Sequence, residues 1–272
     1  MGEARGMKVF ISADMEGITT TTYHSDCLKG DSEYAYHCEQ MTSEVLAACE
    51  GAMAAGATEI LIKDAHSTSS NIDLKRLPKC ARIIRNKAGH PYGQAEGVDE
   101  TFDAAMFIGC HSGASIGGNP MSHLNTLGQA WATMNGRHLS EFMLYSLAAA
   151  YAGVPTVYLA GDRQVCEDYK DIHPKLITTA VKDGRGASTI SLAPAKALDM
   201  IRTDAERALR QDLSGALAKI PEAICIDICY INHADAYRFS FFPGMKQIND
   251  TTIRFETNDY FEALRIFRFV RD

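Results

Sequence analysis

The chain has 272 residues, 46% hydrophobic and 22% charged, with a formal net charge of -7. That length and composition suffice for a large buried core and exclude intrinsic disorder, while the acidic balance, with no Lys/Arg block, excludes nucleic acid as the main partner. No apolar stretch approaches the roughly 18–20 uninterrupted residues of a membrane span, and the eight cysteines lack the dense spacing of a disulfide scaffold.

The start, residues 1–7, reads as a polar leader without the apolar core of a signal peptide, with Met7 as an alternative start. A cytoplasmic location is therefore expected. Val9-Phe10-Ile11-Ser12-Ala13 is the first strand, and it runs into Asp14-Met15-Glu16-Gly17. A Thr-rich polar loop spans 19–31. Residues 33–55 read as a helix, because Met41, Val45, Ala48, Cys49, Ala52 and Met53 recur at three and four. Gly56 ends it, and the second strand, Ile60-Leu61-Ile62-Lys63, runs into Asp64-Ala65-His66.

After a loop at 67–78 and a short strand at 81–85, Ala104-Ala105-Met106-Phe107-Ile108-Gly109 forms a third strand that runs into Cys110-His111. A glycine-rich loop follows at 109–127. Ser140 is the N-cap of a helix that Glu141 opens, and Gly153-Val154-Pro155 stops it before a strand ending in Gly161-Asp162. Beyond it come a helix at 194–218, strands near 223–230 and 251–256, and a last helix from about 259. Cys225 and Cys229 share one strand face and read as free thiols.

The expected fold class is α/β. A largely parallel sheet with flanking helices carries the site at its C-terminal edge in residues 7–165, and a smaller α/β domain at 166–272 is available for oligomer contacts. Parallel strands deliver their C-terminal residues to one edge. If the three strands are neighbours, Asp14, Glu16, His66 and His111 meet in one cleft. Alone, Asp14-x-Glu16 reads equally well as a solvated turn, and either His as a structural residue. Ligand types at three separate strand ends shift the reading to a metal site.

Glu141 suits the helix dipole in any case, yet adds a further carboxylate. His123, in a flexible loop, suits proton transfer or nucleophilic attack. Asp64 is a candidate partner orienting His66, and Asp162 a supporting residue. Cys110 should face the opposite way. His24, His37, His90, His138, His173 and His233 read as surface or packing residues. Three carboxylates (Asp14, Glu16, Glu141) balance two divalent ions with room for one hydroxide, and mixed His and carboxylate ligands suit zinc without excluding manganese or cobalt.

Ser12-Ala13-Asp14-Met15-Glu16-Gly17-Ile18, Lys63-Asp64-Ala65-His66-Ser67, Gly109-Cys110-His111, Met121-Ser122-His123 and Asn135-Gly136 followed by Glu141 together resemble the zinc-dependent D-aminopeptidases of the M55 peptidase class. The likeness runs over nearly the whole chain from Met7. It implies that Asp14, Glu16, His66, His111 and Glu141 bind two zinc ions per chain, with Asp14 bridging, and that His123 is the nucleophile or catalytic proton handler. It also implies a homo-oligomer, a decamer of two pentameric rings, acting on short peptides with an N-terminal D-residue such as D-Ala-D-Ala. A metal-dependent amidase on another small amide, or a non-catalytic binding homologue, are the alternatives.

Overall fold

β1 (Met7–Ala13) alternates two sets of side chains, and each set finds its own core. In the computed structural model, which describes residues 6–271, Val9, Ile11 and Ala13 pack with Met41, Val45, Ala48 and Ala52 of α1 (Tyr34–Ala54). Phe10 points the other way, into a second core with Phe107 and Phe142. A strand buried on both faces is what a central parallel position requires. The leader read at 1–7 falls, for residues 1–5, outside the described residues.

The chain continues through β2 (Ala57–Asp64), β3 (Ala81–Ile84) and β4 (Ala104–Cys110) to β5 (Gln129–Met134) and β6 (Arg137–His138). Then come α2 (Glu141–Tyr151), β7 (Thr156–Asp162), α3 (Arg163–Asp168), β8 (Ile177–Arg185), β9 (Ser188–Ser191) and α4 (Pro194–Leu209). The last stretch holds β10 (Ile224–Tyr230), α5 (His233–Phe239), β11 (Met245–Gln247), β12 (Thr252–Thr257) and α6 (Tyr260–Phe269).

Seven strands form one sheet in the order β3-β2-β1-β4-β7-β8-β9, parallel except for the β8–β9 pair. β1 is flanked by β2 and β4, with Ala13 opposite Asp64 on one side and Ile108 on the other. From β1 the chain winds outward through β2 to β3, then returns to lay β4, β7 and β8 on the other side. The order reverses between β1 and β4, where open α/β sheets bind ligands. α1 and α4 cover one face, and Ala197, Ile201 and Ala205 of α4 share the α1 core.

The second sheet, β11-β12-β10-β5-β6, is antiparallel. Its Ile226, Ile228 and Phe255 join Phe107 and Phe142 in one continuous core. The boundary expected at 165/166 falls inside this arrangement, because β8 pairs parallel with β7 and extends the large sheet. The second sheet in turn draws β5 and β6 from residues 129–138. The helix expected at 194–218 stops at Leu209, and β5, β6, β8 and β9 were not expected. No helix among the described residues is long and apolar enough to cross a membrane.

Candidate metal centre

Three strand exits meet at the β1/β4 switch. Asp14 N–H donates to Ile108 O at 2.8 Å, Ala65 N–H to Ala13 O at 2.8 Å, and Gly17 N–H to Gly109 O at 2.8 Å. Such contact leaves no room for side chains in between. A Cβ on Gly17 would sit 1.8 Å from Cys110 O, and one on Gly109, whose φ is +71°, would sit 2.1 Å from Asp14 O. Glycine is required at both places. Asp14, Glu16, His66, His111 and Glu141 are all buried in the resulting cluster. Glu141 arrives from the first turn of α2, whose N-cap Ser140 accepts Met143 N–H.

The imidazoles are aimed by carbonyls. A carbonyl only accepts, so the ring nitrogen beside it carries the proton. His111 Nδ1 donates to Ser112 O at 2.8 Å, which leaves Nε2 as a lone pair 3.7 Å from Glu141 Oε1 and 3.9 Å from Asp14 Oδ2. That Nε2 is buried and has no hydrogen-bond partner among the described residues. His123 Nδ1 likewise donates to Met121 O at 2.9 Å, and its ring stacks on His111 with centroids 4.5 Å apart. His123 Nε2 lies 3.5 Å from Glu141 Oε1 and 4.0 Å from Glu16 Oε1.

His66 Nε2 donates to Cys27 O at 2.9 Å, and its Nδ1 faces Glu16 Oε2 at 2.9 Å and Asp14 Oδ1 at 3.4 Å. Two acceptors around that nitrogen demand a cation between them. Burial works against charge on His66, but Glu16 and Asp14 push its pKa up to about 11 without metal. Burial also opposes ionisation of Glu16, which the His66 charge nevertheless holds well below the carboxylate range. Asp14 is raised, by burial first and then by Glu16. A proton thus occupies the place a divalent ion would take, and the donor set fits such an ion.

Asp14 turns one oxygen to His66 and the other to His111. Close groupings of ligand atoms occur at Glu16, Cys27 and His66, at Asp14, Glu16 and His111, and at His111, His123 and Glu141. All six residues singled out from the sequence for the site come together here. Asp64 does not touch the His66 ring. Its carboxylate accepts Asn71 N–H, Asn71 Nδ2–H and Ile72 N–H, and so shapes the loop that carries His66. Asp162 accepts Ser112 N–H and Oγ–H at 2.7 Å and fixes the turn after His111.

Sequence reasoning missed several supporting groups. Gln94 Nε2 donates to Asp14 Oδ2 at 2.9 Å and also to Glu141, while Ser12 Oγ–H holds Gln94 O at 2.9 Å. Buried Lys182 donates to Glu16 O and Thr21 O, both at 2.6 Å. His24, read as a surface or packing residue, lines the cleft, and its ring meets His123 at 6.1 Å. None lies in a pattern with a recognisable period. The cleft encloses about 290 Å³.

Carboxylates and imidazoles gathered at the switch point of a parallel sheet define an α/β protein with a candidate metal centre at its ligand-binding edge. Residues 7–269 match the Peptidase M55 family, D-aminopeptidase. The chain is 30% identical over 259 residues to the D-aminopeptidase of Bacillus subtilis (strain 168), covering 94% of each chain. It also resembles the solved Zn-dependent D-aminopeptidase DppA from Bacillus subtilis, described as a self-compartmentalizing protease, with a TM-score of 0.89 and 28% identity over 97% of this chain and 96% of that one. The chain belongs to the M55 D-aminopeptidase family.

Proposed function

We propose that this chain is a di-zinc aminopeptidase that removes an N-terminal D-residue from short peptides of the D-Ala-D-Ala type. Asp14, Glu16, His66, His111 and Glu141 are the residues that would hold the zinc pair, with Asp14 shared. The observation that carries this reading is the Asp14 carboxylate, whose two oxygens face different imidazoles within one buried acidic cluster. Bound zinc supplies a Lewis acid for the scissile carbonyl and acidifies water.

The protein's own groups do the rest. His123, anchored through Nδ1, presents Nε2 as a base that takes a proton when the amide is attacked and returns it to the leaving amine. Burial of the cluster keeps bulk water from screening these charges.

A ring-built homo-oligomer, a decamer of two pentameric rings, goes with this reading. It is supported by exposed Ile231, Tyr237 and Phe241 beside the antiparallel sheet and by the self-compartmentalizing relative. A cytoplasmic location is supported by eight free cysteines. Hydrolysis of paired D- and L-dipeptides by the zinc-reconstituted protein tests the activity. Cleavage of D-alanyl-D-alanine well above L-alanyl-L-alanine is expected. Turnover of other small amides with both dipeptides left intact would favour the amidase alternative.

A further inference from the structure

The cleft carries a second charged surface that the hydrolytic chemistry does not use. Lys63, Lys87, Arg268 and Arg271 line it together with the acidic cluster. Lys63 is accounted for, since its Nζ lies 3.3 Å from Glu96, the one other carboxylate in the lining. The remaining three cations have no acidic partner within ion-pair distance among the described residues. Arg268 donates from Nε to Gly89 O at 2.9 Å, which braces the guanidinium against the 86–91 segment and leaves its other donors unspent. Among the described residues, Lys87 and Arg271 have no side-chain hydrogen bond or acidic partner.

Three cations with no acidic partner among the described residues thus stand in the same cleft as the candidate metal cluster. A short peptide offers such a surface one complementary group, its C-terminal carboxylate. A cavity of about 290 Å³ is at the small end of ligand pockets, so both ends of such a molecule come under its influence. Guanidinium groups pair with carboxylates through two parallel hydrogen bonds, which suits a terminal carboxylate better than a neutral amide.

Resting on the aminopeptidase reading, we propose that Lys87, Arg268 and Arg271 form a carboxylate-binding wall that selects peptides by their free C-terminus. The preferred substrates are then dipeptides and other very short peptides with an unblocked C-terminal carboxylate. Longer or C-terminally amidated chains place no negative charge against the wall.

The test compares kcat/KM for D-alanyl-D-alanine and its C-terminal amide, using the zinc-loaded full-length protein. Wild type should favour the free acid by roughly tenfold or more, mainly through KM. The double variant Lys87→Gln/Arg271→Gln should lose most of that preference, and Arg268→Lys should lose part of it. Neither Lys87 nor Arg271 makes a side-chain hydrogen bond or ion pair among the described residues, and circular dichroism checks that the variants are folded. Equal kcat/KM for acid and amide in wild type, or an undiminished preference in the double variant, would overturn the proposal. D-alaninamide, which has no carboxylate, reports separately on the aminopeptidase reading. Its hydrolysis without any acid-over-amide preference sinks the wall alone, whereas failure to cleave any of the three compounds sinks both.

Discussion

Backbone carbonyls set the chemistry of single side chains in this centre. Cys27 O, Ser112 O and Met121 O each take one imidazole N–H, which decides the nitrogen that His66, His111 and His123 turn to the cleft. Gln94 acts on the acids in the same way, donating to Asp14 and Glu141 together. Outer partners of this kind govern metal affinity. Gln94→Ala should therefore weaken zinc binding by about 10–100-fold, measured by competition with a chelator; unchanged affinity would mean the ligands are held without it. Lys182 has a structural task, tying Glu16 O to Thr21 O from inside the protein. Lys182→Met removes the donor to Thr21 O, while Glu16 O keeps Asn119 Nδ2 and Thr21 Oγ, and should cost about 1–3 kcal/mol of stability in urea unfolding. The candidate ligands Asp14, Glu16, His66 and His111 were legible because they come at the ends of apolar runs, and Glu141 because it opens a helix capped by Ser140. Gln94, Lys182 and His24 instead sit where only the folded chain brings them near the site.

At the scale of elements, the site depends on how closely β1 and β4 leave the sheet together. Gly109→Ala forces a side chain into Asp14 O from a left-handed backbone position, and should abolish tight zinc binding while far-ultraviolet circular dichroism stays near wild type. Retained zinc in that variant would show that the exits can separate without harm. The Thr-rich segment is likewise an element held by its hydroxyls. Thr19 bonds Glu44, Thr20 bonds His37, Thr21 spans Met15 O and Glu16 O, and Thr22 reaches Thr189. Composition showed a loop there but not these partners, which lie on α1, on β9 and in the turn after β1. The buried strands and the capped α2 could be read from apolar runs and Ser140. β5 and β8 escaped because QAWATM and ITTAVKDGR mix polar residues into strands and lack a continuous apolar signal.

For the whole molecule, pH stability and assembly are the informative properties. His173 is buried against Ser146 Oγ, and burial pushes its pKa down to about 4. Below pH of about 6.5 the unfolded chain takes up a proton that the folded chain refuses until about pH 4. Stability from this group is thus complete above about 6.5 and falls by about 3 kcal/mol on acidification across that window. His173→Leu should show a shallower decline in urea-unfolding free energy between those pH values, and an identical slope would refute the assignment. Light scattering should give the mass of ten chains if the ring-built assembly forms, and a monomer mass would remove it. The division of the chain was the least legible feature, because the second sheet is assembled from 129–138 and 224–257, segments far apart in sequence that share one core with β4 and α2. The central claim, a zinc pair bridged by Asp14, is tested most directly by metal content per chain, measured by mass spectrometry on wild type and Asp14→Ala. Two zinc ions per chain, both lost or greatly weakened in a folded variant, are expected. No tightly held metal in wild type, or zinc content unchanged by the substitution, would contradict it.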